Sequence, residues 1–119
     1  MATQPTMQTT PTTRWVTVTL VVPWYKPDGL EWDTREHWAH VQAVLVELMG
    51  GFTRTHGPGT WMGPDGIPVE EPVFVFTATC AEAAWNKDVL KRLEDLRAYV
   101  KQAWEQEEVY MTVMVSDGW

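Results

Sequence analysis

Alternating apolar and polar residues predict a strand near the start of the chain, from Trp15 to Val22. Every second residue from Val16 to Val22 is apolar, and threonines occupy two of the three intervening positions. A period of two places one apolar face toward a core and leaves the other face partly polar. Pro23 ends the strand, because proline lacks the amide hydrogen that a sheet ladder needs.

A helical period follows and predicts the first helix, from Thr34 to Met49. Its apolar positions are three or four residues apart and form one stripe: Trp38, Val41, Leu45 and Leu48. Asp33 and Glu36 have the spacing of a capping box at the N-terminus of this helix. Gly50 and Gly51 end it, since glycine readily adopts the left-handed conformation of a C-terminal cap.

The glycine- and proline-rich middle of the chain predicts a hairpin with an irregular first half. Phe52 to Thr55 is expected to form a short strand, and residues 56–59 a turn. Thr60 to Met62 predicts a strand fragment before a second turn at residues 64–66. Val69 to Thr79 is apolar on both faces, which favours a central position in a sheet.

A second helix is expected from about Ala81 to Gln106, with Thr79 and Glu82 as its capping box. Its apolar stripe comprises Trp85, Val89, Leu93, Leu96, Val100 and Ala103 or Trp104. Glu108 to Val115 alternates again and predicts the last strand. The element order βαββαβ is that of an α+β, ferredoxin-like fold, an antiparallel sheet with both helices on one face.

The length of 119 residues is that of one domain. Residues 1–13, rich in Thr, Gln and Pro, are expected to be a disordered tail, and residues 14–119 a single ferredoxin-like domain. The sheet face opposite the helices would be bare and partly apolar. Such a surface predicts self-association into a homo-oligomer.

A formal net charge of −7 argues against nucleic acid as a partner, because a phosphate backbone requires a surplus of Lys and Arg. No apolar run has the length of a membrane span, and no signal peptide is apparent. The single cysteine is compatible with a reducing cytoplasm, where we expect the protein to be. Most of the eight tryptophans are expected in the core or in subunit contacts, but some rings could face a cationic ligand.

Two adjacent carboxylates, Glu70 and Glu71, stand where the polar middle of the chain leads into the most apolar strand. Charges at the start of a buried strand are costly unless they are paired. Neighbours on a strand point to opposite faces, so these two do not form an acid–base pair on one side. One glutamate is expected to hold a ligand. The alternative is that both are solvated charges that protect a strand edge.

Neither a metal site nor a cofactor is predicted. His37 and His40 lie three residues apart on the first helix beside Glu36, but no third ligand has the spacing of a metal site. His56 stands alone in its predicted turn, with no nucleophile to activate. Glu105 is a further candidate site residue, because it stands where the second helix leads into the last strand.

The Glu70-Glu71 pair before a central strand and the segment Trp104–Gln106 before an apolar strand resemble the bacteriophage S-adenosylmethionine lyases, long described as hydrolases. The likeness covers the element order from Trp15 to Val115 and these two segments at the residue level. That family has a ferredoxin-like subunit that trimerises in the manner of the PII signalling proteins. Where the family has a tyrosine ahead of its key glutamate, this chain has Thr60, followed by Trp61.

The resemblance implies that the carboxylate of S-adenosylmethionine attacks its own γ-carbon and leaves 5′-methylthioadenosine and homoserine lactone. The site would lie between subunits of a homotrimer and align the reacting atoms, with no nucleophilic side chain and no cofactor. The resemblance implies that Glu71 or Glu70 is the catalytic residue. The residues implied to bind the substrate are Trp61, Thr60, Gly51, Phe52, Thr53 and Glu105.

The resemblance also implies a phage protein that acts in the host cytoplasm by depleting the methyl donor of restriction–modification. Two alternatives come from other functional classes. One is a non-catalytic, PII-like protein that binds a nucleotide as a sensor. The other is a small oligomeric structural protein whose tryptophans all lie in interfaces.

Overall fold

A computed structural model of the chain describes residues 13–24 and 35–118 and has the predicted element order. The elements are β1 (Thr13–Pro23), α1 (Arg35–Met49), β2 (Thr53–Met62), β3 (Pro68–Ala81), a 3-10 turn (Glu82–Ala84), α2 (Lys87–Ala103) and β4 (Met111–Gly118). The α+β, ferredoxin-like fold is thus confirmed. Residues 1–12 of the expected tail lie outside the described residues, and the division into a tail and a single domain of residues 14–119 stays a prediction.

The strands form one antiparallel sheet in the order β2-β3-β1-β4. β3 is central, as its two apolar faces predict, and β2 and β4 are the edge strands. The β1–β3 register pairs Pro23 with Val73 at the end of β1, so β3 extends beyond β1 at its own start. Among the described residues, 68–71 of β3 therefore pair only with β2. Residues 59–71 form a two-stranded arm that projects from the sheet.

The core lies between one face of the sheet and the two helices. Alternate residues of β1 and β3 face it: Val16, Val18, Leu20, Val22, Phe76, Ala78 and Cys80. The helices contribute Val41, Leu45, Met49, Val89, Leu93, Leu96 and Val100, at the predicted spacing. Trp104 is fully buried and packs on Trp38, with 4.9 Å between the ring centroids. Removal of this apolar surface from water, at about 25 cal/mol per Å², is the main stabilising contribution.

β2 is one continuous strand, so the turn predicted at residues 56–59 is wrong. All of Thr53–Met62 pairs with β3 in one unbroken register. The interior Gly and Pro residues suggested a break, but proline is tolerated on an edge strand, and β2 is one. The second predicted turn is confirmed, because Gly66 has a φ of 79° and its amide bonds to the Gly63 carbonyl.

The second helix begins later than the sequence pattern predicts. Asn86 caps it by accepting a hydrogen bond from the Val89 amide at 2.9 Å. The predicted capping role of Thr79 is therefore wrong. Thr79 instead belongs to β3, where its hydroxyl lies 3.1 Å from the hydroxyl of Thr17, its partner on β1. The sequence alone does not show whether a threonine and a glutamate three residues apart cap a helix or belong to the end of a strand.

The other element ends agree with the sequence more closely. α1 ends at Met49, and Gly50 follows with a φ of 84°, as its role of C-terminal cap requires. The predicted N-terminal cap, Asp33, lies outside the described residues. β4 begins at Met111 rather than at Glu108.

The sheet face opposite the helices, called the open face below, is uncovered within the described part of the chain. Its large apolar and aromatic side chains include Trp15, Tyr110 and Met114, which are 40%, 61% and 63% exposed. Self-association through this face stays a prediction.

α2 ends in a Schellman motif whose left-handed residue is Glu105. The Gln106 amide donates to the Lys101 carbonyl at 2.9 Å, and the Glu105 amide donates to the Gln102 carbonyl at 3.2 Å. Glu105 has a φ of 53°, and no other non-glycine residue in the described ranges has a positive φ. A side chain in this region costs about 1–2 kcal/mol, which is why glycine is the usual residue here.

We expect the free energy of unfolding to be about 1 kcal/mol higher for Glu105→Gly than for Glu105→Ala, because glycine relieves this backbone strain. Glu105→Ala is the matched control, since it removes the same carboxylate but keeps a side chain at the strained position. Urea unfolding followed by circular dichroism measures both variants. Equal stability of the Gly and Ala variants would show that the backbone at residue 105 is not strained.

Candidate functional site

Glu71 lies on the arm, on the open face of the sheet and directly opposite Gly59 of β2. The side chain is half-buried, and burial raises the pKa of its carboxyl group, because the charged form loses hydration. Within residues 13–24 and 35–118 no cation pairs with it.

The indole ring of Trp61 lies over Gly59, the residue opposite Glu71. A Cβ atom on Gly59 would be 2.8 Å from Cζ3 of Trp61 and 3.1 Å from Cγ1 of Val73, so this packing requires glycine. Trp61 itself pairs with Val69, on the same face as Glu71 and diagonal to it. The ring remains 43% exposed, so a ligand can reach it. The carboxylate and the indole therefore lie side by side on the open face of the arm.

Glu70 and Thr60 pair with each other across the same two strands but project from the opposite face. Both side chains are exposed. The two glutamates thus do not share a face, as strand alternation predicts. Glu71 is half-buried on the open face, whereas Glu70 is exposed on the helix side.

The remaining candidate residues lie elsewhere in the same chain. Thr53, which follows Gly51 and Phe52 at the start of β2, pairs with Thr77. At about 3.3 Å per strand residue, Thr53 is roughly 20 Å along β2 from the residue opposite Glu71. One chain therefore brings Glu71 and Trp61 together and does not bring residues 51–53 to them.

Aromatic contacts connect the end of α2, where Glu105 lies, to the base of the arm. Trp104, next to Glu105, packs on Trp38, and the Trp38 ring is 4.7 Å from that of Phe74. Phe74 in turn stacks on Trp24 with a centroid distance of 5.0 Å. Packed rings move little relative to one another, so this series fixes the arm relative to the end of α2.

Sequence reasoning did not group two basic side chains that lie near the base of the arm, Arg54 and His56. The guanidinium carbon of Arg54 is 5.2 Å from the centroid of Phe74, and the His56 ring is 5.7 Å from that of Trp24. Both side chains project from the helix side of β2, since their partners Phe74 and Phe76 face that side. The turn predicted at residues 56–59 separated His56 from Arg54, whereas a single alternating strand over residues 53–62 places both on one face.

The described residues contain no group of three or more His, Cys, Asp and Glu side chains that could hold a metal ion. His37 Nδ1 and the Tyr99 hydroxyl instead share a hydrogen bond of 2.5 Å, and the His40 ring packs on the Tyr99 ring with a centroid distance of 4.2 Å. These histidines join α1 to α2. In the described ranges no helix has the length and hydropathy to cross a membrane.

Solved structures with little sequence identity share this fold. A phage SAM lyase in the apo state gives a TM-score of 0.64 at 14% identity, over 86% of this chain and 84% of that chain. A phage SAM lyase in complex with S-methyl-5′-thioadenosine gives 0.60 at 13% identity, over 87% and 81%. CutA from Synechococcus elongatus PCC7942 gives 0.52 at 11% identity, over 90% and 83%.

No protein-family model matches the chain, and no curated protein matches its sequence at a significant level. At the identities of these structural neighbours, the similarity establishes the fold alone. The chain thus has the PII-like, ferredoxin-like fold that phage SAM lyases and CutA share.

Proposed function

We propose that the protein is an S-adenosylmethionine lyase that forms 5′-methylthioadenosine and homoserine lactone. The observation that carries the proposal is Glu71, a half-buried carboxylate with no cation partner among the described residues, beside the exposed ring of Trp61. S-adenosylmethionine carries an ammonium and a sulfonium group, which such a surface attracts. The fold shared with phage SAM lyases, one of them in complex with S-methyl-5′-thioadenosine, supports this substrate class.

In the proposed reaction, a carboxylate oxygen of the substrate forms a bond to its γ-carbon while the bond from that carbon to sulfur breaks. The electron pair of the broken bond stays on sulfur, which becomes the neutral thioether of 5′-methylthioadenosine. No proton is transferred and no water is consumed. The protein's task is to fold the substrate so that oxygen, carbon and sulfur are in line. A water-poor site favours the step, because its opposite charges cancel in the transition state.

Charge cancellation also decides which group Glu71 should contact. The sulfonium charge disappears during the reaction, so a carboxylate next to sulfur would stabilise the substrate more than the transition state. The ammonium group keeps its charge throughout and can be held without this penalty. We therefore assign the ammonium group to Glu71 and the adenine ring to the Trp61 indole. Glu70 is the alternative carboxylate, with Thr60 beside it.

The proposed site lies between subunits of a homotrimer. Gly51, Phe52 and Thr53, proposed to contact the nucleoside, are roughly 20 Å from Glu71 in one chain at about 3.3 Å per strand residue. Within residues 13–24 and 35–118 nothing covers the open face, and it is partly apolar, a property typical of subunit contacts. A second copy against this face would supply residues 51–53, or Glu105, to the Glu71 site.

One observation favours a second candidate function, a PII-like sensor that binds a nucleotide and leaves it unchanged. Arg54 and His56 lie against the aromatic rings of Phe74 and Trp24. Basic side chains beside aromatic rings suit a ligand that has both phosphate groups and a base. S-adenosylmethionine has a base but no phosphate group.

The decisive experiment is incubation of the purified protein with S-adenosylmethionine and analysis of the products by mass spectrometry. We expect 5′-methylthioadenosine and homoserine lactone. Homoserine without transient lactone would indicate hydrolysis by water. Unchanged substrate would exclude the lyase function, and a thermal-shift screen of nucleotides would then test the sensor function.

Substitution of the two glutamates tests the assignment of roles. Glu71→Gln should lower kcat/KM by about ten- to hundred-fold, which is the effect of losing one charge-assisted hydrogen bond. Glu70→Gln is the matched control, a neighbouring carboxylate on the other face, and should change kcat/KM less than about three-fold on the same scale. Equal losses in both variants would contradict the assignment of the site to the open face.

The unfolding free energy that Glu71→Gln gains over wild type should increase with pH. Burial raises the pKa of Glu71 above its ordinary value of 4.5, so the unfolded chain ionises first as the pH increases. Ionisation therefore destabilises the wild-type fold, beginning near that ordinary value and reaching its full extent above the folded-state pKa. The Gln variant lacks this effect, and its gain in unfolding free energy should be larger at pH 7 than at pH 3. A gain independent of pH, measured by urea unfolding, would show that Glu71 is solvated like Glu70.

A further inference from the structure

Two glycines of β2 lie on the same face of the sheet as Glu71. Gly57 pairs with Val73 and Gly59 pairs with Glu71, so both glycines are on the open face. Neither glycine has a positive φ, so the backbone conformation at these positions is one that other residues also adopt. The lack of a side chain at each position therefore has to be explained by the surroundings.

The surroundings of the two glycines differ. A Cβ atom on Gly57 would meet nothing within 4 Å. A Cβ atom on Gly59 would lie 2.8 Å from Cζ3 of Trp61, well inside the optimum of about 3.5–4.0 Å for two carbon atoms. The indole ring of Trp61 therefore occupies the space that a side chain at residue 59 would fill.

This space is the cross-strand position next to Glu71. Side chains directly opposite each other in an antiparallel pair are close neighbours, with Cβ atoms about 4.5–5.5 Å apart. Gly59 itself gives Glu71 no such neighbour. The ring of Trp61, which starts two residues further along β2, takes its place.

The half-buried state of Glu71 agrees with this placement of the ring. The neighbours of Glu71 along β3 on the same face are Val69 and Val73, and the two glycines of β2 contribute no side chain. Among the described residues, Trp61 is thus the nearest side chain of β2 that can cover the carboxylate. Burial also raises the pKa of Glu71, as expected for a carboxyl group beside apolar side chains.

We propose that Gly59 is a positioning residue, whose missing side chain lets the Trp61 indole fold back along β2 and lie beside Glu71 as part of one binding site. The proposal rests on the proposed function, because the ring is assigned to adenine and the carboxylate to the ammonium group of the same substrate. The ring is still 43% exposed, so its outer surface is free to stack on a base. The fitting ligand thus carries a flat aromatic ring close to a cationic group.

Gly59→Ala should displace the ring without disrupting the strand. The new methyl group would overlap the far end of the Trp61 side chain, which can rotate outward because it is partly exposed. Cγ1 of Val73, at 3.1 Å, would need to move by only a few tenths of an ångström. Gly57→Ala is the matched control, since it adds the same methyl group to the same face of the same strand in open space.

Binding of 5′-methylthioadenosine, the product that contains adenine, tests the role of Gly59 without catalysis. In isothermal titration calorimetry on the full chain, Gly59→Ala should bind it about ten-fold more weakly than wild type, the loss expected when an aromatic ring no longer stacks on a base. Gly57→Ala should bind it like wild type. All three proteins should have the same circular dichroism spectrum and a cooperative unfolding transition.

A double-mutant cycle shows whether Gly59 acts through the indole. Trp61→Ala should weaken binding at least as much as Gly59→Ala. The double variant should lose no more affinity than Trp61→Ala alone, because a ring that is absent cannot be displaced. A purely structural effect of the methyl group would persist without the ring, so losses that add would overturn the proposal.

Three further results would also overturn the positioning role. One is a folded Gly59→Ala with the affinity of wild type. Another is an unfolded Gly59→Ala, since the strand rather than the ring would then depend on the glycine. The third is a wild type that does not bind 5′-methylthioadenosine.

The fate of S-adenosylmethionine separates this proposal from the proposed function. A protein that binds 5′-methylthioadenosine in the Gly59-dependent way but leaves S-adenosylmethionine unchanged would contradict the proposed function alone. A lyase whose kcat/KM and affinity for 5′-methylthioadenosine are the same in Gly59→Ala as in wild type would contradict the positioning role alone.

Discussion

The register of β2 on β3 is the constraint on which the rest of the molecule depends. Side chains alternate along a strand, so a slip by one residue would exchange the two faces of β2. The turn at the tip of the arm fixes this register, through the left-handed Gly66 and a hydrogen bond from the Ile67 amide to Oδ1 of Asp65 at 3.0 Å. From this one alignment follow the pairing of Glu71 with Gly59, the position of the Trp61 ring, and the direction of every outward amide on β2.

A strained residue lies at the end of α2, next to a packed series of aromatic rings that reaches the base of the arm. A residue held in the left-handed region persists only when the surrounding structure enforces it, and such residues cluster at functional sites. Glu105 is held in this way, directly after a fully buried Trp104 whose contacts continue through Trp38 to Phe74. The carboxylate at the end of α2 and the arm are therefore fixed by one packed aromatic series. A site that must align three reacting atoms benefits from supports of this kind.

Sequence periodicity was sufficient for the fold but not for the site. The apolar stripes of both helices and the central position of β3 were predictable, because burial imposes a strict period on each element. The start of α2 and the continuity of β2 were not, because proline, glycine and capping residues act through their tertiary neighbours; Pro58 ends no strand when it lies on an edge. Glu70 and Glu71 were both candidates from their sequence position, whereas the difference in their surroundings depends on the packing of Trp61 over Gly59.

Electrostatics distinguish the two surfaces that a ligand or a partner could use. The chain is acidic overall, with a net charge of −7, so long-range attraction favours a cation near the arm. Arg54 is the exception: it lies on a sheet edge, over an aromatic ring, with no carboxylate partner among the described residues. The Glu71 carboxylate on the open face and the Arg54 guanidinium on the helix side therefore favour ligands of opposite charge.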